Sequence, residues 1–259
     1  MPFDVDWYNL GSGTVQSQSS YYKRITMLSY VARINYAYQG KYMVTLSSRW
    51  DGSSKFQKDN RWGMFPSAAV AWRLSEEKFL ESTRNWLSNL KLRFSFGVTG
   101  NNAGIDPYDT QALADIKYYY NFGSSVANGF GYTMVNPDLT WEKTVEFNLG
   151  LDFGFLNNRI TGTVDLYHKN SSDLLMEMQT PFELGSYTGA IVSNVGKVTN
   201  KGIELALGFK QNIGPVDWKT TLLWSLNRNR IDQLLPEYTN EELGVTVHLD
   251  EMDVYSLGG

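Results

Sequence analysis

The sequence predicts an all-β protein, an antiparallel up-and-down transmembrane β-barrel segment. Apolar and polar residues alternate with a period of two along much of the chain, which is typical of β-strands with one apolar and one polar face. The clearest stretch, residues 142–156, exceeds the roughly 5–6 residues of an ordinary soluble strand. It also covers the roughly 9–11 residues that a tilted strand needs to cross a bilayer. Short and long connections alternate between such stretches, as they do in membrane barrels.

The alternation predicts about eight strands of a larger barrel. In the clearest strand, Phe147 and Leu149 lie on the apolar side, whereas Glu146 and Asp152 lie on the polar side. The third predicted strand contains Pro66, which is unusual because proline donates no ladder hydrogen bond. The predicted strands span residues 25–38, 42–51, 64–74, 91–99, 142–156, 159–169, 202–210 and 217–228.

The predicted connections differ in length in an ordered way. Residues 39–41 and 157–158 form tight turns, residues 211–216 form a short link, and residues 75–90 form a compact link with a helical turn. The long connections span residues 52–63, 100–141, 170–201 and 229 to the end. In an outer-membrane barrel, short turns face the periplasm and long connections face the cell exterior.

Composition narrows the class of protein further. The 259 residues are 42% hydrophobic and 14% aromatic, with no cysteine and a net charge of −4. No run of about 18 apolar residues is present, so the sequence predicts no transmembrane helix. The slightly acidic balance gives no support for nucleic-acid binding. The absence of cysteine removes thiolate metal sites and disulfide scaffolds.

No constellation of residues predicts catalysis, a metal site or a cofactor, so we expect a protein that is not an enzyme. The two histidines, His168 and His248, are interpreted as interfacial or loop residues. Several acidic residues fall on the polar parity of their strands, where we expect them to line a solvated lumen and to pair with arginines. They are Glu142, Glu146, Asp152, Asp165 and Glu204, and the arginines are Arg33, Arg93 and Arg159.

Four stretches of the chain have a recognisable sequence. They read RWGMFPSAAVAWRLSEEKFL (61–80), LKLRFSFGVTGN (90–101), NPDLTWEKTVEFNLGLDFGFLNNRITGTVDLYHKNSSDLL (136–175) and NVGKVTNKGIELALGF (194–209). Together they resemble the C-terminal part of the barrel in the SusC/RagA family of TonB-dependent outer-membrane transporters of Bacteroidota. The resemblance covers about residues 25–235, in the right order and at plausible spacing.

This resemblance implies a 22-stranded barrel in the cell outer membrane, surrounded by outer-membrane lipid and closed by an N-terminal plug domain. It implies active nutrient uptake, in which glycans or peptides are imported with energy supplied through TonB. The family usually works with a SusD-like surface lipoprotein that forms a lid over the barrel, so this lipoprotein is the expected partner.

The resemblance covers only part of such a transporter. Residues 1–259 are interpreted as one partial TonB-dependent receptor β-barrel domain, because the plug domain and the remaining strands are absent. The opening residues, MPFDVDWYNLGSG, lack the basic and apolar regions of a signal peptide, so we expect an internal fragment or a truncated chain. Residues 236–259 are less familiar and are interpreted as an extracellular loop leading to the next strand.

The connection at residues 100–141 is the best candidate for a functional site. It contains Asn101, Asn102, Tyr118, Tyr119 and Tyr120, and we expect these residues to contact the substrate or the partner. Tyrosine rings and asparagine amides suit sugar recognition, and tyrosine is also enriched in protein–protein interfaces. A loop with neither role remains the simpler interpretation of the same residues.

Two other functions remain open at the level of sequence. Alternation and loop asymmetry fit a passive porin-type channel as well as an active transporter, and only the family resemblance favours the transporter. A soluble β-rich carbohydrate-binding module is also possible, but its apolar strand faces would need a second sheet to cover them.

Overall fold

The computed structural model describes residues 22–111, 114–122, 125–132, 135–179, 190–234, 238–240 and 245–247. The strands within these residues are β1 (Met27–Tyr38), β2 (Tyr42–Ser53), β3 (Trp62–Arg73), β4 (Leu87–Asn101), β5 (Ala114–Phe122), β6 (Ser125–Tyr132), β7 (Glu142–Phe155), β8 (Ile160–Ser172), β9 (Leu175–Gln179), β10 (Ala190–Asn194), β11 (Lys197–Ile213), β12 (Val216–Gln233), β13 (Tyr238–Asn240) and β14 (Val245–Val247). Two short 3₁₀ helices, Leu74–Glu76 and Lys78–Thr83, connect β3 to β4. No helix in this part of the chain is long and apolar enough to cross a membrane.

Eight long strands form one sheet in the order β1-β2-β3-β4-β7-β8-β11-β12. Every neighbouring pair is antiparallel. The predicted up-and-down arrangement is therefore confirmed, and each predicted strand corresponds to one strand of this sheet. Among the described residues, β1 and β12 each pair on one side only, so the sheet is open rather than closed on itself.

The long connections contain three further hairpins, which the sequence did not predict. Strands β5 and β6 pair within the connection between β4 and β7, and β9 and β10 pair within the connection between β8 and β11. Strands β13 and β14 form a third small sheet after β12. The interpretation of residues 100–141 and 170–201 as loops is therefore wrong for these parts, where local pairing satisfies the backbone hydrogen bonds.

The short connections lie where they were predicted, but the link predicted at residues 211–216 is only residues 214–215, because β11 and β12 extend further than expected. Gln39 and Gly40 have φ angles of 52° and 66°, the left-handed conformation that tight hairpin turns require at both central positions. Asn157 and Asn158 adopt φ angles of 59° and 58° between β7 and β8, and asparagine tolerates this conformation better than most residues. The helical turn expected within residues 75–90 is present as the two 3₁₀ helices.

Pro66 lies inside β3 without disrupting the sheet. It pairs with Ser48 of β2, but the ladder between β3 and β4 begins only at Ser67, which pairs with Gly97. The first part of β3 is therefore paired on one side alone. A proline is tolerated there because a missing N–H costs little where no second ladder is present.

One face of the sheet carries a continuous apolar band. Residues opposite one another in a ladder share a face, so the register carries each row across all eight strands. One row consists of Tyr36, Val44, Val70, Phe94, Leu149, Leu166, Ile203 and Leu226. Phe94 and Leu149 lie in central strands and are still 44% and 43% exposed. This face is therefore uncovered, which in an outer-membrane barrel is the side that meets lipid.

The opposite face is polar. One of its rows consists of Arg33, Ser47, Ser67, Gly97, Glu146, Lys169, Asn200 and Asn229. The hydroxyls of Ser47 and Ser67 are 2.6 Å apart, and the Lys169 ammonium lies 3.4 Å from a Glu146 carboxylate oxygen. The period-two alternation therefore assigned these side chains to the correct faces. We call the apolar side the outer face and the polar side the inner face.

A small apolar core lies where the long connections leave the sheet. Its buried side chains are Phe56, Phe65, Ile105, Leu139 and Trp141. The Trp141 ring packs against Phe56 and Phe65 with ring centroids 5.1 and 5.5 Å apart. The Trp141 indole N–H also donates to the Arg61 carbonyl oxygen at 3.2 Å. The core joins the connections at residues 52–63 and 100–141, and Leu175 of β9 and Val192 of β10 pack against it. It therefore holds the bases of these connections together at one end of the sheet.

The face assignment predicts an asymmetric response to charge. In the full-length protein, Leu149→Arg should destabilise the membrane-inserted state by about 2–4 kcal/mol, the cost of a lipid-facing arginine near the bilayer midplane. Asn148→Arg, one residue away on the inner face, should cost far less because its side chain reaches water. Unfolding in lipid vesicles measures both values, and equal losses would contradict the orientation.

Candidate functional site

The inner face carries a network of charged side chains on three adjacent strands. The Arg93 guanidinium donates through Nε to Asp152 Oδ1 at 3.0 Å and through Nη2 to the same oxygen at 2.8 Å. Nη2 also donates to Asp165 Oδ1 at 3.1 Å. Lys91 Nζ lies 2.8 Å from the second oxygen of Asp152. Arginine suits this position because its planar fork can engage two carboxylates at once.

Gly150 makes this network possible. It lies between Arg93 of β4 and Asp165 of β8 in the ladder, so the guanidinium passes directly over it. A Cβ atom at Gly150 would lie 2.6 Å from the Arg93 Cζ and 2.7 Å from Asp165 Oδ1. Only glycine leaves room for the arginine to reach from β4 across β7 to β8.

A shallow recess adjoins the network on the side of β11 and β12. Its volume is about 340 Å³, and its polar lining comes from Thr163, Asp165, Glu204 and Ser225. In a solvated recess, carboxylates accept hydrogen bonds and hydroxyls both donate and accept them. Such a lining can therefore bind polar solutes or another protein surface. The expectation of acidic residues on the polar face is met by Asp152 and Asp165, which pair with Arg93 as predicted.

The described residues contain no group of three or more histidine, cysteine, aspartate or glutamate side chains able to hold a metal ion. His168 is exposed on the outer face, where it pairs with Lys201 of β11. His248 lies outside the described residues. The chemistry of the inner face is therefore charge pairing and hydrogen bonding.

Asn101 and Asn102 lie at the base of the long connection that follows β4. The Asn101 amide N–H donates to Glu142, and its carbonyl oxygen accepts from the Ala103 backbone N–H at 3.0 Å. The Asn102 amide donates to the Ser53 hydroxyl at 3.0 Å. Both amides therefore hold the connection in place, although Asn101 remains exposed. Their predicted contact with substrate or partner stays a prediction.

Tyr118, Tyr119 and Tyr120 lie in β5, opposite Gly129, Asn128 and Ala127 of β6 respectively. The structure thus places them in a hairpin rather than in an irregular loop. Their side chains lie outside the described part of the chain, so their role also stays a prediction.

A second cluster of polar contacts lies at the end of the sheet where the short connections join neighbouring strands. The Tyr42 hydroxyl donates to Glu77 Oε1 at 2.6 Å, and the Trp72 indole N–H donates to the same oxygen at 3.1 Å. Lys41 Nζ lies 3.4 Å from Glu77 Oε2. These contacts, the hydrogen bond from Tyr42 above all, lower the pKa of the Glu77 carboxyl below its ordinary value. Sequence reasoning missed Glu77, because this contact joins a helical connection to two neighbouring strands.

Similarity to known proteins identifies the family of this chain. The family described as TonB dependent receptor-like, beta-barrel, matches residues 2–246. The chain belongs to this family. It is 39% identical to the TonB-dependent receptor SusC of Bacteroides thetaiotaomicron over 85% of the chain and 22% of that receptor. It is 36% identical to the TonB-dependent receptor P26 of Formosa agariphila over 82% of the chain and 21% of that receptor.

Solved structures agree with this assignment. The chain matches the structure of the RagAB peptide importer in its closed-closed state with a TM-score of 0.71 and 32% sequence identity. The match covers 86% of the present chain and 24% of the matched RagAB chain. The chain therefore spans about a fifth to a quarter of the length of the relatives it matches. Proteins of this family are outer-membrane transporters rather than enzymes. The predicted fold, family and outer-membrane location are confirmed.

The close approach at Gly150 predicts the effect of one added methyl group. Gly150→Ala in the full-length protein should displace the Arg93 guanidinium from Asp165 and destabilise the barrel by about 1–3 kcal/mol, as overpacking does elsewhere. Gly97→Ala is the matched control on the inner face, because its nearest contact would be Ser67 Cβ at 3.7 Å. Denaturation of both variants in the same detergent compares them, and an equally stable Gly150→Ala would contradict the assigned geometry.

The lowered pKa of Glu77 predicts a pH-dependent contribution to stability. The contribution is complete above the ordinary glutamate pKa of 4.5 and is lost as the pH falls through the lower folded-state pKa. Glu77→Gln should therefore lower the Tm at pH 7, with the deficit shrinking towards pH 3. Glu76→Gln, an exposed neighbour, serves as control. A deficit that stays constant with pH would show that the Glu77 charge is not responsible.

Proposed function

We propose that this chain forms part of the wall of an active TonB-dependent transporter that imports glycans or peptides. A SusD-like surface lipoprotein acts with it, and TonB supplies the energy through a part of the transporter outside this chain. The similarity to SusC over 85% of the chain carries the proposal. The match to a peptide importer, RagAB, supports peptides as the second substrate class.

The geometry of the sheet supports a wide barrel. Eight strands that closed on themselves would make a narrow barrel filled by side chains, whereas 22-stranded outer-membrane transporters enclose a plugged lumen. Within the part of the chain that the structure describes, β1 and β12 each have one edge without a partner strand. The inner face of the sheet carries charged groups such as Arg93, Asp152 and Asp165. Such a charged face needs a hydrated lumen, and that lumen is wider than the one that eight strands can enclose.

The long connections support contact with a partner and a substrate at one end of the barrel. The apolar core and the hydrogen bonds of Asn101 and Asn102 fix the base of the connection that contains β5 and β6. Binding residues concentrate on loops held by a rigid scaffold. We assign contact with the lipoprotein or substrate first to Tyr118, Tyr119 and Tyr120, and secondarily to the exposed Asn101.

Measuring whether uptake depends on the proton gradient and on TonB tests the proposal directly. In cells that express the full-length protein, uptake of labelled oligosaccharides or oligopeptides should fall at least about tenfold when a protonophore collapses the proton gradient or when TonB is deleted. Barrel abundance in the outer membrane is measured in parallel as the control. Uptake that persists without the gradient would contradict active transport and would favour a passive porin-type channel.

The three tyrosines of β5 provide a second test. Replacing Tyr118, Tyr119 and Tyr120 with alanine should weaken lipoprotein or substrate binding by about tenfold or more, since buried tyrosines are frequent interface hot spots. Barrel assembly should not change, because β5 belongs to a separate two-stranded sheet. The triple Tyr→Phe variant is the matched control that keeps the rings. Unchanged binding at normal abundance would remove this hairpin from the site.

A further inference from the structure

A groove lies on the outer face near the short connections, where β2, β3 and β4 run side by side. Its volume is about 540 Å³, within the range of roughly 300–1,000 Å³ that small-molecule sites occupy. Its lining is mainly apolar, as it is in most such sites. We call it the outer groove, and the outer-face side chains that line it are Tyr42, Val44, Val70, Trp72, Leu92 and Phe94.

Small side chains on β3 create the outer groove. Val70 pairs with Val44 of β2 and with Phe94 of β4. Ala68, the next outer-face residue of β3, pairs with Phe96 of β4. The side chains of β3 are therefore shorter than the phenylalanines beside them. The resulting depression follows β3 from the short connections towards the middle of the apolar band, which is the direction that an acyl chain takes in a bilayer.

Polar groups lie at the end of the outer groove that is nearest the short connections. The Tyr42 hydroxyl and the Trp72 indole N–H both donate to Glu77 Oε1. Among the described residues, Glu77 Oε2 contacts only Lys41 Nζ, at 3.4 Å. The side chains of Lys41 and Glu77 are 21% and 15% exposed. An ammonium has three N–H donors and a carboxylate oxygen has two lone pairs, so both groups can bind a further partner.

The outer groove lies in the periplasmic leaflet of the membrane. The β1–β2 turn and the β3–β4 connection adjoin its polar end, and short connections face the periplasm in these barrels. Tyr38, Tyr42 and Trp72 stack in one row at this end, with ring centroids 6.4 and 6.2 Å apart. Such rings gather at the interface between membrane and water. The outer groove therefore begins at the level of the lipid headgroups and continues into the hydrocarbon.

The charges at the polar end have both signs. Lys41 and Glu77 contribute one positive and one negative charge. Glu76 and Lys78, which flank Glu77 in the chain and are exposed, contribute one more of each. Arg73 belongs to the inner face, where it pairs with a lysine of β4. Adjacent charges of both signs complement a headgroup that also carries both, whereas an anionic lipid would need an excess of positive charge.

We propose that the outer groove binds a phospholipid with an ethanolamine headgroup. One acyl chain lies over Val44 and Val70, and the headgroup lies beside Lys41 and Glu77. The Lys41 ammonium donates to the lipid phosphate, and Glu77 Oε2 accepts a hydrogen bond from the lipid ammonium. The site is independent of the transported substrate.

Filling the outer groove tests the acyl part of this site. The full-length protein in detergent is titrated with dioleoyl phosphatidylethanolamine, and bound lipid is measured by native mass spectrometry. Val70→Trp should weaken binding about tenfold, because the indole overpacks the space that the acyl chain occupies. Val164→Trp is the matched control, since Val164 pairs with Leu151 on the same outer face but outside the groove. Equal affinity of Val70→Trp and the wild-type protein would overturn the proposal.

Exchanging the headgroup tests the charged part separately. Dioleoyl phosphatidylglycerol has the same acyl chains and a phosphate but no ammonium group. The wild-type protein should bind the ethanolamine lipid about tenfold more tightly, a factor typical of a hydrogen bond between charged groups. Glu77→Gln should abolish this preference, whereas Glu76→Gln should retain it. A wild-type protein that binds both lipids equally, or a preference that persists in Glu77→Gln, would show that the headgroup is not recognised and would refute the site.

Discussion

The structure depends on one constraint, that a backbone N–H or C=O group facing hydrocarbon must be hydrogen-bonded within the protein. A strand in a bilayer meets this constraint only by pairing along both edges. The unbroken order of the eight long strands, and their length of 12–18 residues, follow from it. The first residues of β3 pair with β2 only, because the ladder to β4 begins at Ser67. Pro66 is tolerated there because its missing N–H breaks no second ladder.

The same ladders divide the side chains between two solvents. A shift of one residue in the register would send Leu149 to the lumen and Asn148 to the lipid, so register is strongly specified in every strand. Charged groups on the inner face can then be paired at low cost, since water reaches them and screens them. The network around Arg93 spans three strands and gives that part of the wall a preferred alignment of β4, β7 and β8.

Strand positions and faces could be predicted because alternation is a local property of the sequence. The outer row through Phe94, Leu149 and Leu166 follows from parity once the strands are known. The contacts of Arg93 could not be predicted in detail, because its partners Asp152 and Asp165 lie 59 and 72 residues away and meet it only through the register of two ladders. Gly150 on the polar parity of β7 is a local sign that a neighbouring side chain passes closely over the strand.

The hairpins within the long connections were missed for a different reason. Strands β9 and β10 have five residues each, too few for a periodic pattern to stand out from a loop. The candidate site was located by composition alone, since tyrosine and asparagine indicate recognition chemistry without indicating backbone structure. Glu77 illustrates the same limit, because its environment comes from Tyr42 and Trp72 on two other elements.

The small apolar core beneath the connections has a consequence for how such a protein diversifies. Phe56 and Phe65 precede the β5–β6 hairpin in the chain and Trp141 follows it, and the three side chains pack together where the connections leave the sheet. Insertions and deletions beyond that boundary alter no ladder of the wall and expose none of its apolar surface. The connection that carries the β5–β6 hairpin can therefore vary in length and sequence without changing any ladder of the eight-stranded sheet.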